Sequence, residues 1–169
     1  MAATFIYNEI KKREWVNKPY IVCVMVFCFR QFLEVRLKEL AYMGRRELSE
    51  KPDFQEVHQL DTLFNDYASN VLPKLDSNYD SNMVDVVRGL TNEFNSTDPQ
   101  SMNFRYPVDK NLKASLNKPN LDIDNFKNVM DKLSNYFDAQ LELVKLLESY
   151  NDEMAAEYAS YFAEFAEYC

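Results

Sequence analysis

The sequence predicts an all-α fold, a single-domain up-and-down bundle of about five to six helices. Three observations carry that prediction. Only two glycines, Gly44 and Gly89, occur in 169 residues, whereas a β-rich chain needs glycine for its tight turns. No stretch alternates apolar and polar residues as a half-buried strand would. Apolar residues instead recur at helical spacing, and 47% hydrophobic against 27% charged residues is an ordinary globular balance. At this length one core is sufficient.

The organising element is Pro19 to Met43. Residues Ile21 to Phe29 are all apolar. From Arg30 onward, Phe29, Phe32, Leu33, Leu37 and Leu40 hold one face while polar residues take the other. This is the pattern of a central helix (19–43) that others wrap. Pro19 suits its first turn, Gly44 its C-terminal cap, and Arg45-Arg46 the negative end of its dipole. Nine apolar residues fall short of the roughly 20 that cross a bilayer. Charges follow at once, so the reading is a cytoplasmic protein without a membrane segment.

The N-terminal helix lies within 1–18, with Phe5, Ile6, Ile10 and Trp15 along an apolar edge. A helix over 53–72 opens on a capping box, Asp53 with Glu56, or starts nearer His58. Its face is Val57, Leu60, Leu63 or Phe64, and Tyr67, and Pro73 follows its end. A helix over 82–95 places Met83, Val86 or Val87, Leu90 and Phe94 on one side. The stretch 96–120, with three prolines, is a loop pinned to the body, since Phe104-Arg105-Tyr106-Pro107-Val108-Asp109 is too aromatic for a linker. Two acidic helices fill 121–169. The first starts near Asp122 or Asp124 and runs along Phe126, Val129, Met130, Leu133, Phe137, Leu141, Val144 and Leu147. The pattern weakens at Ser149 to Asp152 before the second.

Charge is uneven. Residues 1–120 hold 16 acidic and 16 basic side chains, while 121–169 hold 11 and 3, which accounts for the whole net charge of −8. Nucleic-acid binding needs a basic face, so RNA or a nucleotide is not supported by charge. The acidic end is a solvated face or a surface for a basic partner. Cys23, Cys28 and Cys169 show no metal spacing, and reduced buried thiols fit the cytoplasm. No cofactor or metal is expected.

A single histidine restricts catalysis. His58 is either a general acid-base group oriented by Asp61 three residues on, or a structural histidine at a helix start. Arg105 with Asp109 nearby forms a structural ion pair or an anion site. Arg45 and Arg46 make a small phosphate site or simply complement a helix end. The aromatic last helix is a reasonable dimer contact. Glycine-rich phosphate loops, GxSxG and ExxH motifs are all absent from the sequence.

Phe32-Leu33-Glu34-Val35-Arg36-Leu37-Lys38-Glu39-Leu40, a polar loop, and His58-Gln59-Leu60-Asp61-Thr62-Leu63-Phe64 resemble the HEPN superfamily. That family pairs an E-x-x-LK-x-L helix with one opening H-[ND]-L-x-x-L. Glu34, Leu37-Lys38, Leu40, His58, Leu60 and Leu63 match, with Gln59 replacing Asn or Asp, and the segment 98–109 is also similar to bacterial proteins of this type. The resemblance implies a four- or five-helix bundle, often dimeric, from toxin-antitoxin or phage-defence systems. Many members are metal-independent ribonucleases with an R-x(4-6)-H motif. Here Lys51, Pro52 and Asp53 stand where the arginine would be, and His58 matches the structural helix opening. The expectation is a non-catalytic binding or regulatory homodimer with a protein partner in such a system, whose candidate contacts are Arg45, Arg46, His58, Asp61, Arg105, Tyr106 and Asp109. The alternatives are an atypical ribonuclease using His58 and Arg105, or Arg45-Arg46, and an acidic inhibitor mimicking nucleic acid through its C-terminal helices.

Overall fold

A computed structural model describes residues 2–12, 18–51, 56–99, 101, 103–105 and 121–167, and of 2, 18–20 and 161–167 the backbone alone. The expected all-α fold is what it shows, with no strand among the described residues. The helices are α1 (Ala2–Lys12), α2 (Lys18–Glu47), α3 (Leu60–Asp66), α4 (Leu72–Leu75), α5 (Ser81–Thr97) and α6 (Ile123–Glu167). A π-helical segment, Tyr67–Val71, joins α3 to α4 as one continuous helical rod. Asp53, Trp15 and Cys169 lie outside the described residues.

As the periodicity predicts, α2 is central, packing on α1, α3, the π-segment and α6. Its buried stripe is Met25, Val26, Phe29, Leu33, Leu37 and Leu40. The apolar first half is not enclosed all round, however. Val24 is half exposed, and Cys23 and Cys28 are free and only partly covered. Among the described residues, the helices packed on α2 leave this part of its apolar surface partly open.

The end of α2 departs from expectation. The helix runs through Gly44 to Glu47, and the cap lies beyond it. Ser49 takes the left-handed conformation (φ 56°), with its N–H donating to the Arg46 carbonyl (3.0 Å) and that of Glu50 to Arg45 (2.9 Å). This is a Schellman closure with serine in the usual glycine position. Gly44 serves packing instead: a Cβ there would sit 2.4 Å from Val71 Cγ1 and 3.0 Å from Leu75 Cδ1.

Residues 56–59 are not helical, and α3 starts at Leu60, whose N–H donates to Asn95 Oδ1 of α5 (2.9 Å). A neighbouring helix thus supplies the cap. Pro73 does not end the rod. Proline cannot donate to the carbonyl four residues back, and just before it the helix widens, Leu72 N–H reaching the Tyr67 carbonyl.

Asp80 caps α5, accepting from Asn82 and Met83 N–H. Its buried face is Val84, Val87, Thr91 and Phe94. Of the expected stripe, Val87 and Phe94 are buried and Leu90 packs against the core, whereas Met83 is exposed, as is Val86, the alternative to Val87. Asp122 caps α6 through Asp124 and Asn125 N–H (3.1 and 3.0 Å). Met130, Leu133, Phe137, Leu141 and Val144 of α6 are buried as expected. The predicted break at Ser149 to Asp152 does not occur, and α6 is one helix of 45 residues. Asn and Asp there cost only tenths of a kcal/mol in helix propensity, about 0.7 at most, and neither glycine nor proline interrupts.

Candidate functional site

Arg30, Glu34 and Lys38 are spaced four apart on α2, which aligns them along one face. Glu34, 5% exposed, is the hub. Arg30 Nη1 reaches its Oε2 (2.8 Å), while Lys38 Nζ and His58 Nδ1 both reach Oε1 (2.8 Å each). Arg30 is fully buried. Its Nε donates to the Asp98 carbonyl (3.3 Å) and its Nη2 to the His58 carbonyl. One guanidinium therefore binds two segments distant in sequence, 56–59 and the turn after α5, to the central helix. Beside it, Gln31 Nε2 donates to Ser101 Oγ (2.5 Å), and Asp98 Oδ1 accepts from Asn103 N–H (3.0 Å).

Burial raises the Glu34 carboxyl pKa, but hydrogen bonds from Lys38, His58 and Arg30 outweigh it and hold the group below its ordinary value. An ionised Glu34 accepts only, so His58 Nδ1 is the donor in this 2.8 Å contact. The His58 side chain is 62% exposed. Chemically this is an imidazole oriented by a buried carboxylate, with a lysine ammonium on the same carboxylate oxygen. Because the folded pKa is lowered, Glu34 contributes stability above the unfolded value of about 4.3, and loses it as pH falls from there through the folded value. Urea midpoints measured against pH are expected to drop on acidification in wild type. The drop is shallower in Glu34→Gln, and parallel curves would refute the assignment.

The residues singled out by sequence fall into different places. His58 does not pair with Asp61. It lies before α3, following an extended rather than helical path, so the three-residue helical spacing does not apply. Asp61 instead accepts from Thr62 N–H through Oδ1 (2.7 Å). Arg45 binds Asp66 through both carboxylate oxygens (2.6 and 2.8 Å). Burial raises the Asp66 pKa, but Arg45 and Asn70 outweigh it and hold it low. Arg46 binds Glu148 of α6. Both guanidiniums clamp the end of α2 to other helices, roughly 16 Å along α2 from Glu34. Arg105 is exposed, with its guanidinium 5.6 Å from the Phe27 ring centroid. Tyr106 and Asp109 lie outside the described residues.

Arg30 was not anticipated as a site residue. Its one sequence signal is a charge directly after nine apolar residues, in register with Glu34. Among the described residues no His, Cys, Asp and Glu group could hold a metal ion, and no helix is long and apolar enough to cross a membrane. A cavity of about 300 Å³, lined by Val26, Leu90, Phe94, Phe104, Phe126 and Met130, opens between α5 and α6 and contains none of these site residues. Compared with family models, curated proteins and solved structures, the chain matches none.

Proposed function

We propose that this chain is a non-catalytic, HEPN-like binding protein of a bacterial or phage conflict system, acting as a homodimer on a protein partner. The observation that supports an interaction role is the second half of α6. Among the described residues, its ties to the body end at Asn151, whose amide donates to Glu47 Oε2 (3.3 Å). From Tyr150 to Ser160 every residue but Met154 is exposed. A helix exposed over three turns at every position but Met154 adds little to its own core, and partner binding accounts for it. The arginines also favour binding over catalysis. Arg30 is buried, and Arg45 and Arg46 are each held by a carboxylate.

The oriented, exposed His58 favours one other reading, a metal-independent ribonuclease. Both are tested on purified protein incubated with labelled single- and double-stranded RNA in a chelator. No cleavage is expected, and cleavage that His58→Ala abolishes would replace the proposal with the ribonuclease. Light scattering is expected to give twice the 20.0 kDa chain mass, and a strict monomer removes the homodimer.

A further inference from the structure

The projecting half of α6 has a surface more specific than mere exposure. Leu146, Tyr150, Met154 and Tyr158 follow one another at four-residue steps, the spacing that makes a continuous ridge on an α-helix. Leu146 is 68% exposed, and Tyr150 and Tyr158 are 59% exposed. Such ridges fit grooves on other helices or sheets. Beside this one lie Asp152, Glu153 and Glu157, all exposed.

From Leu146 to Glu167 the helix carries six carboxylates, Glu148, Asp152, Glu153, Glu157, Glu164 and Glu167, and no lysine or arginine. Glu153 and Glu157 stand one turn apart with like charge, which disfavours the helix by tenths of a kcal/mol, about 0.2–0.5. This charge does not serve local stability. Self-pairing of the segment would set carboxylates against carboxylates with no cation between them, which disfavours the same segment of a second copy as the occupant.

We infer that the ridge of α6 docks a protein partner that offers an apolar groove rimmed by lysine and arginine. Apolar ridge contacts supply the anchor, and the flanking carboxylates supply register and attraction. This rests on the interaction reading above and adds the chemistry of the partner.

The probe is a fluorescein-labelled synthetic amphipathic peptide with leucines at helical spacing and lysines on either side, titrated with the full chain and followed by anisotropy. A second peptide keeps the lysines and replaces every leucine by serine. The first peptide is expected to bind. The triple variant Tyr150→Ser, Met154→Ser, Tyr158→Ser weakens it about tenfold or more, as loss of anchor residues does. The variant Asp152→Asn, Glu153→Gln, Glu157→Gln also weakens it and flattens its salt dependence. All substitutions are outside the core, and circular dichroism checks that the fold is kept. Equal affinity for the two peptides would show attraction by charge alone, as in nucleic-acid mimicry, and overturns the inference. So does undiminished binding by the ridge variant, or a wild-type dimer that the ridge substitutions convert to monomer, which makes the occupant a second copy. Each of these outcomes is separate from RNA cleavage, which defeats the non-catalytic reading instead.

Discussion

Replacing Arg30 by methionine is expected to destabilise the protein by about 3–5 kcal/mol, the cost of removing one partner from a buried ion pair. The guanidinium is fully buried and answers Glu34 and the carbonyls of His58 and Asp98. Methionine fills much of the volume but donates nothing, leaving two carbonyls and a buried carboxylate short of a donor. The comparison is Arg36→Met on the same helix. Arg36 pairs with Glu39 and Asp138, both of them partly exposed, and such pairs contribute about 0–1 kcal/mol. Urea denaturation of the two variants measures the difference. Equal midpoints would mean that Arg30 is not the clamp described. Replacing both members, Arg30→Met with Glu34→Leu, is expected to restore part of the loss, since the buried carboxylate leaves together with the guanidinium, while Lys38 and His58 lose their acceptor.

The two glycines are expected to respond to alanine with opposite signs. Helix propensity alone favours alanine over glycine by roughly 0.5–1 kcal/mol at either position. At exposed Gly89 of α5 nothing lies within 4 Å of an added Cβ, so Gly89→Ala should stabilise by about that amount. At Gly44 the Cβ would meet Val71 Cγ1 at 2.4 Å. Val71 is fully buried and β-branched, so it has little rotamer freedom with which to retreat. Overpacking of this kind costs about 1–3 kcal/mol, which exceeds the propensity gain. Gly44→Ala should therefore lower the thermal midpoint while Gly89→Ala raises it. A rise in both would show that α2 and the π-segment are not in close contact.

These cases also show what the sequence made legible. Helical spacing located α2 and α6 because each buries a continuous stripe, Met25 to Leu40 and Met130 to Val144. Burial of one face is a local property of the chain, readable from the residues themselves. The ends were less legible, because termini depend on neighbours. Gly44 fits a cap by residue type, yet Val71 requires a glycine inside the helix. Met83 fits a buried stripe as well as Val84 does, and Val86 as well as Val87, and only the position of α3 against α5 selects between them. At Ser149 to Asp152 the weakened apolar pattern suggests an end, but no breaker is present and the helix continues.

The candidate site divides the same way. His58 stood out as the lone histidine, and Glu34 through the resemblance to HEPN helices. Their 2.8 Å contact spans 24 residues, and no local pattern encodes it. Asp61, the nearer carboxylate, was the natural partner on helical geometry, and that geometry failed because α3 begins only at Leu60. Arg45 and Arg46 are also explained by distant partners, Asp66 and Glu148.

The sequence by itself determined an all-α chain, a central α2 and an acidic C-terminal end. Each follows from spacing or composition. Tertiary structure alone decided which carboxylate holds His58, that Arg30 is buried at the crossing of three segments, and that α6 outruns the body. Those outcomes depend on which surfaces meet, and burial then converts an ordinary charged residue into either a structural clamp or an exposed contact.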